Sequence, residues 1–256
     1  MDIHFDRNLA EKYHSASQIA RVLTEAWLGS NIYCPRCGND KIEHFPNNSA
    51  VADFFCPKCG NEYELKSKNG NVSRKIADGA YDTFIQRITS NDNPDFFIMS
   101  YNNSEQRVND LWIVPKHFFT PDIVERRKPL SQKAKRAGWV GCNILFDQIP
   151  TQGRIEIVRK GIFSDKKSVL ENMKRSACLN VWNIDSRGWL LDILNCVNGI
   201  EKQVFSLDEV YAYEDILSVK HPLNKNIRPK IRQQLQVLRD MGVIEFTQRG
   251  VYRKIF

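Results

Sequence analysis

Apolar positions along the first two thirds of the chain alternate between helix and strand periods. Ile19, Val22, Leu23, Ala26 and Trp27 recur at i, i+3, i+4, i+7 and i+8, which predicts an amphipathic helix over Ser17 to Trp27. Two short runs, Val51 to Cys56 and Glu62 to Lys66, read as neighbouring strands. A second helix is expected from about Ser73 to Ser90, with Ile76, Tyr81, Phe84, Ile85 and Ile88 on its buried side. Asp95 to Tyr101 and Asp110 to Val114 have the continuous apolar character of core strands. Another strand is expected over Arg154 to Arg159, then a short helix near Lys166 to Lys174. Helices bracketing strands in this order predict an α/β layer around a central mixed sheet.

The pattern changes after a polar, turn-like stretch at Asn180 to Gly188. Trp189 to Val197 predicts one helix, and the capping box Ser206-Leu-Asp-Glu209 opens another. A third, from about Asn226 to Met241, carries the stripe Ile227, Ile231, Leu235 and Leu238 and stops at Gly242. Val243 to Phe246 and Val251 to Ile255, joined by Gln248-Arg-Gly250, form a hairpin. Three helices and a terminal hairpin make a winged helix. The expected division is therefore residues 1–183 and 184–256.

Threaded through the first unit are two Cys-x-x-Cys turns. Cys34, Cys37, Cys56 and Cys59, with eighteen residues between the pairs, have the spacing of a four-thiolate zinc site. Four thiolates close the tetrahedron and leave no open position, so the expected Zn²⁺ is structural. An odd cysteine count and a polar N-terminus without a secretion signal argue against disulfides and for a cytoplasmic setting. Cys142, Cys178 and Cys196 sit in apolar contexts with no histidine partner, which argues against cysteine catalysis.

Interleaved with the thiols is a second pattern. Asp53 is followed about ten residues later by Glu64-Leu-Lys66, the spacing of a metal-dependent phosphodiesterase. Residues two apart on a strand project from one face, so Glu64 and Lys66 are expected together, with Asp53 joining them from the neighbouring strand. Two carboxylates suit Mg²⁺, which places Asp53 and Glu64 as its ligands. Lys66 is then available to orient or deprotonate a water and to stabilise the transition state. Glu25 lies off the apolar stripe of the first helix; a solvated charge and a further acid near the metal are both open, the former favoured.

A formal charge of +7 and a pI near 9.0 suggest a polyanionic partner. The run from Arg126 to Gly141 is basic, with no acid, and offers Lys133, Lys135 and Arg136 for phosphates. Trp139 and Val140, between Gly138 and Gly141, are either an apolar wedge for DNA or a side chain folded back onto the sheet. In the winged helix, Arg232 and Gln233 face away from the apolar stripe with Pro229 and Gln236, and Lys230 lies on the flank. Arg and Gln are the side chains that read guanine and adenine in the major groove. Arg249 in the wing turn suits a phosphate or minor-groove contact. No run of eighteen apolar residues occurs, so no membrane span is expected.

The runs VADFFCPKCGNEYELKSKNGN, KRAGWVGCNI, SRGWLLDILNC and KIRQQLQVLRDMGVIEF resemble the DpnI-like methyl-directed restriction endonucleases over essentially the whole chain. The resemblance implies a PD-(D/E)xK catalytic domain whose Asp, Glu and Lys match Asp53, Glu64 and Lys66. It also implies Mg²⁺-dependent cleavage of double-stranded DNA at GATC carrying N6-methyladenine, with both domains binding methylated DNA. Ala52 stands where the wider superfamily has proline, which is not a ligand. A monomer with one such centre would nick the two strands in turn. Two other readings stay open from the residues themselves: a zinc-containing winged-helix regulator, and a repair or mobile-element nuclease with a different substrate.

Overall fold

The computed structural model describes residues 2–46, 52–90, 92–181 and 183–256. The expected strand starting at Val51 therefore begins outside the described residues. Among the described residues ten strands and three α-helices come first: α1 (Ala16–Asn31), β1 (Glu43–His44), β2 (Phe54–Phe55), β3 (Glu62–Asn69), β4 (Lys75–Ala80), α2 (Tyr81–Thr89), β5 (Asp95–Asn102), β6 (Arg107–Val114), β7 (Val124–Arg126), β8 (Gly141–Leu145), β9 (Ile155–Arg159), β10 (Ile162–Phe163) and α3 (Lys166–Ser176). They build a mixed α/β layer. The main sheet runs β1-β2-β3-β5-β6-β9-β10, and a small sheet runs β4-β8-β7.

Only β3 and β5 are parallel in the main sheet, with Glu64 opposite Phe96 and Lys66 opposite Ile98. Alternation along β5 sends Phe97 and Met99 to one face and Phe96 and Ile98 to the other. The first face is covered by α1, through Leu23, Trp27 and Leu28, and by α3, through Val169 and Met173. Phe84 and Ile88 of α2, together with Ile76 and Ile144 of the small sheet, cover the second. With both faces buried, β5 is apolar almost throughout, as its sequence suggested.

One expected element is corrected. The helix foreseen over Ser73 to Ser90 exists only from Tyr81 to Thr89; Lys75–Ala80 is strand. Ile76 is paired with Ile144 of β8 and is buried at 2% exposure. Tertiary pairing overrides a helical period that Ile76 shared by coincidence with the true helix.

The second unit contains α4 (Ile184–Gly199), β11 (Val204–Ser206), α5 (Leu207–Tyr211), α6 (Glu214–Lys220), α7 (Ile227–Asp240), β12 (Ile244–Gln248) and β13 (Val251–Lys254). The stretch read as a turn up to Gly188 is in fact the start of α4. Asn183 caps it, accepting from Ser186 N at 2.8 Å, so these polar residues begin a helix. The Ser206–Glu209 capping box forms with both of its hydrogen bonds. The helix it opens breaks at Ala212–Tyr213 before α6 resumes. β11 adds a third strand to the wing sheet, in the order β11-β13-β12.

Ile227, Ile231, Leu235 and Leu238 of α7 are all buried, as their spacing requires. Nearly every face of α4 is covered too, and its apolar residues share one continuous cluster with Phe118, Ile149 and α7. Replacing Leu235, which is fully buried, by alanine is expected to cost about 2–5 kcal/mol. Because the cluster is shared, urea unfolding followed by tryptophan fluorescence and by far-ultraviolet circular dichroism should show one coincident transition, shifted to lower urea in this variant.

Candidate active site and zinc centre

The two cysteine turns fold alike, because each is a Cys-Pro-x-Cys-Gly-Asn sequence. In the first, Gly38 adopts φ of 75° and its N–H donates to Cys34 O; in the second, Gly60 at 69° does the same to Cys56 O. A side chain at either φ would be strained, so glycine lets each loop turn back under its thiols. The four Sγ atoms lie within 4.8 Å of one another, with Cys34–Cys59 at 3.7 Å and Cys37–Cys56 at 3.6 Å. A tetrahedron with Zn–S bonds of about 2.3 Å has edges of about 3.8 Å. The cluster fits zinc. Although burial opposes ionisation, the Asn39 backbone and neighbouring thiols hold Cys37 down to about 7, which favours the thiolate a metal requires. Tyr63 Oη lies 2.9 Å from Cys34 Sγ. Within the cluster, burial instead raises Cys34 and lifts Cys59 to about 12, and outside it burial pushes Cys142 up to about 11 and Cys196 to about 12.

The second cysteine turn is also the connection between β2 and β3. Asp53 lies just before β2, and its backbone is held on both sides: Phe45 N donates to its carbonyl at 2.9 Å, and its own N–H donates to Tyr63 O at 3.1 Å. Its Oδ2 accepts from Leu65 N at 2.8 Å, which brings the carboxylate against the strand bearing Glu64 and Lys66. Both turns are tied to β5 as well. Asp95, fully buried, accepts from Arg36 of the first turn at 3.0 Å and from Asn61 of the second at 2.9 Å.

Asp53, Glu64 and Lys66 are thus gathered as the sequence predicted. Lys66 Nζ is paired with Glu64 Oε1 and lies 2.5 Å from Asp78 Oδ1. Burial alone would lower the Lys66 pKa, but Asp78 and Glu64 hold it above the ordinary lysine value, so it stays an ammonium. Asp53 shows the opposite imbalance. Burial raises its pKa despite the Leu65 N–H, and the charges of Glu64 and Glu25 raise it further. The Lys66 ammonium offsets this only in part, and a divalent ion held by Asp53 and Glu64 would offset the rest.

Two acids here were missed or discounted in the sequence. Glu25 is not a solvated charge. Its side chain is 15% exposed and accepts from Arg21 Nε at 2.8 Å and His44 Nε2 at 3.0 Å. Its place off the apolar stripe was visible, but the arrival of His44 from β1 was not. Asp78 gives no signal in the sequence, because the apolar period around its strand is that of a helix.

The nucleic-acid candidates fall on two surfaces. Lys133, Lys135 and Arg136 are exposed on the loop between β7 and β8. That loop is ordered by hydrogen bonds from Arg127 N to Gly141 O, Leu130 N to Trp139 O and Gly138 N to Leu130 O. Trp139 folds back. Its half-buried ring covers Gly141, where a Cβ would come within 2.8 Å, and the Arg136 guanidinium lies 4.7 Å from its centre. Val140, also half-buried, accepts from Tyr81 N through its carbonyl at 3.0 Å, so the loop is fastened where β4 meets α2. In the second unit Arg232 and Gln233 are exposed on α7, and Lys230 donates to Gln233 Oε1 at 2.9 Å. Arg232 donates to Tyr211 Oη at 2.6 Å. Arg249 is exposed in the wing turn, beside Gly250 at φ 72°. Among the described residues no helix is long and apolar enough to cross a membrane.

Comparison with known families gives two matches that together cover nearly the whole chain. Residues 1–181 match the model of DpnI, the Dam-replacing family, and residues 185–254 match that of the Dam-replacing HTH domain.

Zinc should be measurable at one equivalent per chain and be lost on replacing Cys56 by serine. Structural zinc contributes on the order of 10 kcal/mol of apparent folding free energy. The variant is therefore expected to lose the chain's single cooperative unfolding transition, read by differential scanning calorimetry alongside metal analysis.

Proposed function

The chain belongs to the DpnI, or Dam-replacing, family, which implies a methyl-directed restriction endonuclease, and from that premise we propose its specific activity. It is a type II restriction endonuclease that hydrolyses double-stranded DNA at GATC sites bearing N6-methyladenine, with Mg²⁺ as catalytic ion. The observation that carries the chemistry is the convergence of Asp53, just before β2, with Glu64 and Lys66 on β3, Lys66 being ion-paired to Glu64. The choice of GATC and of the methylated base is supported by the family resemblance.

In this reading Asp53 and Glu64 would hold the Mg²⁺. Held there, it would supply polarisation of the scissile phosphate and acidification of a water. Lys66, kept as an ammonium by its acidic neighbours, acts as a donor that orients the nucleophile and offsets charge on the phosphate, and not as the base. The basic loop with Lys133, Lys135, Arg136, Trp139 and Val140 grips the duplex beside the catalytic strands. Lys230, Arg232, Gln233 and Arg249 form the contact surface of the winged helix, in the manner of helix-turn-helix proteins. The proposed units divide at 183/184, each chain acting as a monomer that nicks the strands one after the other.

Methyl recognition has a limited energy. One methyl in a fitted apolar pocket contributes about 1–3 kcal/mol, or roughly 10- to 200-fold. Strong discrimination therefore draws on both adenines of the palindrome, on both units, or on both together.

The test is a Mg²⁺ digest of two plasmid preparations that differ only in adenine methylation at GATC, with Asp53→Ala run in parallel. Cleavage confined to the methylated plasmid, reduced at least about 100-fold by the substitution, is expected. Cutting of both plasmids would remove the methyl-directed part. Binding without any cutting would favour a zinc-containing regulator.

A further inference from the structure

We propose that Asp78 is a positioning residue for Lys66, and that through the bulge at Gly79 it links the catalytic strands to the basic loop. This rests on the nuclease reading above and assigns a role to a residue outside the Asp-Glu-Lys pattern.

Three observations carry it. The Asp78 side chain is only 6% exposed and spends one oxygen on Lys66 Nζ and on Gly79 N, at 2.5 and 2.6 Å. Its other oxygen, Oδ2, is sealed from solvent with no hydrogen-bond partner among the described residues. A buried, half-satisfied carboxylate is a poor device for stability, since well-packed apolar groups often serve as well or better. Second, the β4–β8 ladder slips between Asp78, opposite Cys142, and Ala80, opposite Gly141, leaving Gly79 unpaired. Bulges of this kind re-aim a neighbouring side chain and are common beside active sites. Here the bulged strand delivers Asp78 to a lysine on a different sheet.

Third, the residues flanking the bulge are those on which the basic loop ends. Ala80 pairs with Gly141, the glycine covered by the Trp139 ring, and Tyr81 N donates to Val140 O. A duplex that displaces Trp139 from Gly141 therefore acts on the strand that carries Asp78. Lys66, on the catalytic strand, is hydrogen-bonded directly to Asp78. The loop and the lysine are thus joined by a continuous chain of contacts, whose coupling is a measurable quantity.

The experiment uses the full-length protein and a methylated duplex. Single-turnover cleavage is measured in Mg²⁺, and duplex affinity in Ca²⁺ as a divalent ion that permits binding without turnover. Asp78→Asn keeps the shape and removes the charge. It is expected to slow cleavage about 10- to 100-fold, the usual cost of losing an outer partner of a metal-site residue. Its duplex affinity and thermal midpoint should stay at the wild-type values. Combined with Trp139→Ala, it should be non-additive in cleavage rate and additive in affinity. Wild-type cleavage by Asp78→Asn would overturn the positioning role, as would a parallel loss of affinity, midpoint and rate, which marks a structural residue. Additivity in rate would overturn the link to the loop. A wild-type protein that leaves the methylated duplex intact would instead overturn the nuclease reading, and this proposal with it.

Discussion

The cysteine cluster is placed at the point where failure would do most damage to the candidate site. Its second turn joins β2 to β3, so the distance between Asp53 and Glu64 depends on how tightly that turn closes. β2 is two residues long and β1 no longer, too short to set a register by ladder bonds alone. Four thiolates around one zinc ion would supply what the ladder lacks. Asp95 extends the constraint: by accepting from Arg36 and Asn61, one from each turn, it fastens both to the first residue of β5. The parallel pairing of β3 with β5, and hence the placement of Lys66, follows from the same corner of the molecule.

Electrostatics divide along the same lines. A chain of net charge +7 keeps a local excess of acid where Asp53, Glu64, Glu25 and Asp78 meet, with Lys66 paired to two of them. Such a cluster repels a phosphodiester until a cation binds. The lysines and arginines of the loop after β7 stand next to it on the sheet that carries Asp78. In the proposed reaction the basic surface favours the approach of DNA, whereas approach to the acids would be conditional on metal. These opposite requirements explain why overall charge identified the class of partner but said nothing about the chemistry.

What the sequence disclosed was local. Two Cys-x-x-Cys turns, the Glu-x-Lys alternation and the apolar stripe of α7 each lie within one element, and period or spacing suffices to find them. Asp78 and the role of Glu25 depend on partners 12 and 19 residues away, Lys66 and His44, brought in by strand pairing. The misread span from Ser73 to Ala80 shows why: Ile76 sat on the helical phase of Tyr81 to Ile88, and only its pairing with Ile144 made it strand. Trp139 was undecidable from sequence for a similar reason, since its ring position is fixed by Gly141 two residues on and by the loop's own cross-bonds. The polar residues at Asn183 to Gly188 were ambiguous in another way: the residue types that cap a helix are those that make a turn.

The helix that begins there determines how the two units act together. Residues Gly188 to Leu194, with Cys196 and Val197, are buried on α4, more than a single amphipathic face can account for. Towards the first unit Asn195 donates to Gln148 O at 2.7 Å, and Asn198 exchanges hydrogen bonds with Gln152. Towards the second, Trp189 stacks on His221 at 3.7 Å, and buried Asp192 receives Lys220 and His221. This is a core and not a hinge. Opening it would expose apolar surface at about 25 cal/mol per Å². The two surfaces proposed to contact DNA, held through such a contact, therefore move together. If both read the same methylated site, release and rebinding of the duplex offers a lower-cost route between them than rotation of one unit about the other.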